Sequence, residues 1–110
     1  MIQEYEMVPY RRLICSIIIQ AVVDYQAVLQ KDGIAKAEAS RVGRWFLAPD
    51  PTNRVNFLQL CDLFDMQPER LLSRLNTRDL VKEMRTYQKA LEERYQRYQA
   101  MVARASTVAG

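Results

Sequence analysis

Apolar residues recur at helical spacing along most of the chain, and no segment shows the alternation that a half-buried strand requires. The first stripe covers residues 13–29, and its breadth predicts a helix that is buried against more than one neighbour. Pro9 suits the first turn of this helix, and Gly33 is a candidate left-handed C-cap. The sequence therefore predicts a central core helix over about residues 9–32.

A membrane or targeting segment is the alternative interpretation of the same stripe. Residues 13–23 are strongly apolar but shorter than the roughly 20 apolar residues that a spanning helix needs. Glu4 and Glu6 do not fit the basic leading segment of a signal peptide, and no small-residue cleavage site follows. We expect no membrane partner and a cytoplasmic location.

A second helix is predicted over about residues 34–47, with Ala35, Ala39, Val42 and Phe46 on its buried side. The proline-rich segment 49–53 then predicts a rigid loop. The core is expected to centre on the apolar positions of the first four helical segments: Leu13, Ile14, Ile17, Ile18, Val22, Val42, Phe46, Phe57, Leu60, Cys61, Phe64 and Leu71.

Residues 57–75, FLQLCDLFDMQPERLLSRL, are the most informative stretch, because they predict two short amphipathic helices joined by a tight turn. The small side chain of Cys61 lies where the helices would cross, and Pro68 suits the start of the second helix. The pattern is that of a helix-turn-helix hairpin, and it is shared by many structural hairpins. Asp65 in the turn, where glycine is usual, favours the structural alternative.

The last helix is predicted over about residues 78–104, with a frayed tail at 106–110. Its apolar positions follow an approximate heptad, which is typical of a helical interface. This seam either packs on the first helix of the same chain or pairs with a second copy. The residues of the predicted seam are Leu80, Met84, Tyr87, Leu91, Tyr98 and Met101.

These elements make an all-α protein of about five helices. We expect a compact helical unit at residues 1–77, with the hairpin at 56–75, followed by a long helix at 78–105 that is a candidate for dimerisation. The chain has 110 residues, of which 49% are hydrophobic and 26% charged, as in ordinary soluble domains.

The composition argues against several kinds of catalytic and metal-binding site. The chain has no histidine and two cysteines, so it contains neither a histidine-dependent nucleophile nor the usual zinc ligand sets. Cys15 and Cys61 lie within apolar helical patterns, which favours buried thiols over ligands. We expect no catalytic residues, no metal, no cofactor and no small-molecule substrate. The net charge of +3 is too small to indicate a partner by itself.

Three segments together carry a resemblance: YRRLICSIIIQAVVDYQ (10–26), RWFLAPD (44–50) and the hairpin at 57–75. The combination resembles small helical proteins that are encoded by bacteriophages and prophages. The resemblance covers about residues 10–75 and implies an intracellular accessory or regulatory role. It brings no site residues with it.

The leading functional hypothesis is a phage-type regulator that binds DNA through the hairpin, as a homodimer joined by the last helix. In a DNA-binding helix-turn-helix, the second helix presents its N-terminal residues to base edges. The candidate nucleic-acid-binding residues are Gln67, Arg70, Ser73, Arg74 and Arg78. The alternative is a phage-encoded factor that docks on a host or phage protein and uses the same surfaces differently.

Overall fold

A long apolar helix, α1 (Val8–Asp32), runs through the middle of the protein and contacts the elements that follow it. The computed structural model describes residues 8–64 and 66–109, and it is 81% helical with no strand in those ranges. Five helices follow α1: α2 (Ile34–Ala39), α3 (Arg41–Leu47), α4 (Phe57–Phe64), α5 (Pro68–Arg74) and α6 (Leu80–Ala109). The predicted all-α class is confirmed.

The side of α1 that carries Ile14, Ile18, Val22 and Tyr25 is buried. Because α2, α3, α4 and α6 all pack on α1, this side forms the floor of the main core. By length and composition, Tyr10–Asp32 would also satisfy the requirements of a membrane span.

A tight corner divides the second predicted helix into α2 and α3, so the described residues form six helices rather than five. Ser40 causes the division, since its hydroxyl accepts a hydrogen bond from the Gly43 amide and caps α3. The break changes the helical phase. Ala37 is therefore buried, whereas Ala35 and Ala39, which were expected to be buried, are exposed.

Glycine is required at two positions in this region, before α2 and within α3, for different reasons. Gly33 ends α1, and its amide donates to the Leu29 carbonyl. Its φ of 91° favours glycine, but its ψ of 173° places it outside the left-handed helical conformation that the sequence predicted for this cap. At Gly43 the reason is space, because a Cβ there would lie 2.0 Å from the carbonyl oxygen of Ala37.

The loop between α3 and α4 is fixed to an aromatic cluster. The Trp45 indole donates to the Val55 carbonyl at 3.0 Å, and the Trp45 ring lies against Phe46 and Phe57. Asn56 closes the loop, since its side-chain oxygen accepts from the Gln59 amide and caps α4. The predicted break in the chain is thus present as an ordered turn rather than a loose linker.

The long helix α6 packs antiparallel to α1 within the same chain. Near the start of α6, Gln26 donates to the Thr77 carbonyl, and further along α6, Gln88 donates to Ser16. Beyond these contacts, the Arg12 guanidinium pairs with Glu92 and lies 4.4 Å from the ring centre of Tyr95.

Two expectations for the core and the end of the chain were wrong. Leu13 is 60% exposed, because α1 turns this position away from every helix that packs on it. α6 continues to Ala109, past the predicted end near Arg104. Of the other predicted core residues, Ile17, Val42 and Phe64 are only partly buried, and the rest are buried: Ile14, Ile18, Val22, Phe46, Phe57, Leu60, Cys61 and Leu71.

Candidate nucleic-acid interface

The hairpin formed by α4 and α5 is built on small and apolar inward side chains. Cys61 is fully buried where the helices approach each other, and Leu60 and Leu71 are buried on either side of it. Pro68 is at the start of α5, as its φ preference and missing amide hydrogen favour. The two short helices predicted for residues 57–75 are therefore present, with their apolar sides packed on α1.

Two of the predicted DNA-reading side chains on α5 are exposed and have no hydrogen bond to described residues. Gln67 precedes the helix without capping it, and Arg70 faces solvent one turn later. Ser73 is also exposed, but its hydroxyl donates to the Arg70 carbonyl at 2.8 Å and is thus partly committed. Gln67, just before α5, and Arg70 within it can contact a ligand without breaking a hydrogen bond to a described residue.

Arg74 differs from this pattern, because it is already paired with a carboxylate. Both terminal nitrogens of its guanidinium contact Glu83 on α6, and the Nη2–Oε1 distance is 2.7 Å. The hydrogen bond from Arg74 lowers the pKa of the Glu83 carboxyl. A side chain that would otherwise attract phosphate is thereby largely neutralised at this site.

Arg78 belongs to a row of basic side chains that the sequence analysis did not single out as a site. Arg78, Lys82, Arg85 and Lys89 follow an i, i+4, i+7, i+11 spacing and line one shallow groove. All four are exposed, and none forms an ion pair within residues 8–64 and 66–109. We call these four residues the basic row. Its spacing was visible in the sequence, although the acidic residues between its members in the sequence obscured it.

Acidic residues limit the basic row at both ends. Asp79 lies in the turn beside Arg78, and Glu93 follows one turn after Lys89 on the same side of α6. From Lys82 to Lys89 the row spans about 10 Å of helix. This distance is long enough for contacts to more than one phosphate of a nucleic acid strand.

The predicted interface residues of α6 are divided between the core and the surface. Leu80 and Leu91 are buried in their own chain, Met84 packs beside them, and the ring of Tyr87 meets Phe64 edge-on at 5.6 Å. These positions pack against other residues of the same chain. Tyr98 is half-buried and stacks near Tyr95, whereas Met101 is 49% exposed.

The thiols offer no nucleophile. Cys15 and Cys61 are both buried and unpaired, and burial raises the pKa of each to about 11. Both side chains therefore stay protonated near neutral pH and act as small apolar groups in the core.

Comparison with protein-family models, with curated proteins and with solved structures found no match. The assignment of a function therefore depends on the chemistry of the surfaces described above.

Proposed function

We propose that the protein is a small phage-type regulator that binds nucleic acid through the basic row and the neighbouring helix α5. The observation that carries this proposal is the basic row itself: four exposed cations, Arg78 just before α6 and three in its first turns, none of them in an ion pair with a residue that the structure describes. Phosphate contacts supply most of the affinity in such complexes and release counterions from the nucleic acid. The exposed Gln67 and Arg70 then lie on the adjacent hairpin as candidates for contacts to base edges.

In this proposal Arg74 no longer has the nucleic-acid-binding role that the sequence analysis gave it. Breaking its pair with Glu83 would be required before it could contact a phosphate, so we assign the specific contact on α5 to Arg70. The distal part of α6, where Met101 and Val102 are exposed, is the segment that we propose pairs two copies into a homodimer.

The test is a titration of labelled duplex DNA, using source-genome and random fragments at about 50 and 200 mM salt. The first variant replaces Lys82, Arg85 and Lys89 with Gln. The control replaces Lys31, Lys36 and Arg54 with Gln, which removes the same charge from exposed residues outside the row. Because each phosphate contact contributes about 0.9 to the salt slope, we expect the slope to fall by about 3 in the first variant and by less than about 1 in the control.

Arg70 is tested separately. If it contacts a base edge, Arg70→Ala should cost about 1–3 kcal/mol on the preferred fragment and less on random DNA. Absence of binding at the lower salt concentration would refute the nucleic-acid proposal. Equal losses in the row variant and its charge-matched control would show that the basic row is not the binding surface.

A second candidate function is docking on a protein, and a separate surface favours it. A groove of about 750 Å³ lies between α1 and α3, with Ile17, Ala21, Val42 and Trp45 on its apolar floor. Grooves of this kind receive the apolar side of an amphipathic helix. Retention of a bound protein after nuclease treatment of a cell extract would favour this function, whereas loss of all partners would favour nucleic acid.

A further inference from the structure

A cavity of about 490 Å³ opens between α5 and α6, on the side of α6 that carries Glu83 and Tyr87. Its volume lies within the range of roughly 300–1,000 Å³ that is usual for small-molecule sites. Such sites combine a mainly apolar lining with a few polar groups that converge on the ligand. The apolar lining comes mainly from α4, the turn after it, α5 and α6: Phe64, Met66, Leu71, Leu80, Met84 and Tyr87. α1 contributes Cys15.

Among residues 8–64 and 66–109, the charged groups that line the cavity are two guanidiniums and one carboxylate. Glu83 is bound to Arg74 by two contacts, which leaves Arg70 as the cation without an ion pair to any residue that the structure describes. The described part of the lining therefore presents one uncompensated positive charge beside an apolar surface. An uncharged ligand would form no ion pair with Arg70, and a cationic ligand would be repelled by it.

The ring of Tyr87 adds a specific feature to the apolar wall. It meets Phe64 edge-on, with ring centres 5.6 Å apart, and remains 46% exposed. An aromatic side chain in this position can pack against a flat or aliphatic ligand body.

We propose that this cavity binds a small amphipathic anion, whose apolar body contacts Tyr87 and the neighbouring apolar side chains and whose acidic group contacts Arg70. The ligand is a bound effector and is not transformed. Carboxylate, sulfonate and phosphate groups share the chemistry that Arg70 recognises, since each accepts hydrogen bonds from a guanidinium. Glu83 opposes the ligand, because it is itself an anion and occupies Arg74.

Arg70 is also the residue assigned above to nucleic acid, so the bound anion competes with nucleic acid for the same guanidinium. This consequence rests on the proposed function, but binding of the anion does not. The binding experiment is therefore carried out without nucleic acid, and each proposal succeeds or fails on its own measurement.

The probes are 1-anilinonaphthalene-8-sulfonate and its uncharged counterpart N-phenyl-1-naphthylamine, both followed by fluorescence. We expect the sulfonate to bind about fivefold or more tightly than the amine, because it adds one charge-assisted contact. Arg70→Gln should remove this difference and leave the affinity for the amine unchanged. Glu83→Gln should tighten sulfonate binding, since it frees Arg74, whereas Tyr87→Ala should weaken both probes equally.

The control variant is Arg41→Gln, which removes a cation from the edge of the separate groove between α1 and α3. Sulfonate binding should be unchanged in this variant, and its melting curve should match the wild type. Equal affinity of the wild type for the two probes would overturn the proposal. A loss of sulfonate binding in Arg41→Gln, with no loss in Arg70→Gln, would place the anion in the other groove and would also overturn it.

Discussion

Replacing Leu91 with Ala tests whether α6 is part of the core of its own chain. Leu91 is 1% exposed and is buried in a small cluster with Cys15 and Ile19 of α1. Truncation of a fully buried leucine removes apolar burial and leaves a cavity, at a cost of about 2.7–5 kcal/mol. Because Leu91 belongs to a small cluster that is separate from the main core, we expect the lower part of that range.

About 3 kcal/mol is a large share of the 5–15 kcal/mol that stabilises a typical domain. At a urea m-value of about 1–3 kcal/mol per molar, it lowers the midpoint of unfolding by at least about 1 M. For a domain of this length, the melting temperature should fall by about 10 °C or more. Circular dichroism during urea and thermal unfolding measures both changes.

The matched control is Leu58→Ala on the exposed side of α4. Leu58 is 52% exposed, so its truncation should change the free energy of unfolding by less than about 0.5 kcal/mol. The destabilisation by Leu91→Ala should also be independent of protein concentration, because the contacts of Leu91 lie within one chain. A loss that grows on dilution, or equal effects of the two variants, would refute packing of this part of α6 within the subunit.

Two further predictions concern the α2–α3 corner and the thiols. Gly43→Ala should destabilise the protein by more than about 2 kcal/mol, because its Cβ would meet backbone atoms. Gly33→Ala should cost only about 1–2 kcal/mol, from its positive φ alone. Urea unfolding that shows a larger loss of stability for Gly33→Ala than for Gly43→Ala would contradict this reasoning. Cys15 and Cys61, whose pKa values are raised to about 11 by burial, should react with a disulfide reagent at pH about 8 only after denaturation, and rapid modification of the native protein would show that the two thiols are accessible.

The parts of the fold that the sequence predicted well are those governed by local rules. Helical periodicity identified the long first and last helices and the two short helices of the hairpin. Gly33 and Pro68 marked a helix end and a helix start, because their backbone preferences act within one turn. The break at Ser40 was also a local signal, and a reading of serine as an N-cap would have found it.

The errors arose where a neighbour in space decided the outcome. Leu13 and Ile14 are adjacent in the chain and similar in chemistry, yet Leu13 is exposed and Ile14 is buried. The difference depends on which sides of α1 are covered by α4 and α6, and periodicity alone does not show where a wide apolar stripe ends.

The candidate site was predictable only in part for the same reason. The sequence indicated Gln67, Arg70 and Ser73 as the exposed positions of α5, and they are exposed. It did not indicate that Arg74 would be neutralised, because its partner Glu83 lies on a different helix. Ion pairs between helices depend on the packing geometry, which composition and spacing leave open.

By itself, the sequence determined that the protein is all-helical and where most helices begin and end, because these properties follow from residue types and near neighbours. Only the tertiary structure decided that the first part of α6 is core, that Arg70 rather than Arg74 is available for a ligand, and that a cavity lies between α5 and α6. Each of these properties depends on distances between helices that are far apart in the chain. The antiparallel packing of α6 on α1 sets those distances, and no local pattern encodes them.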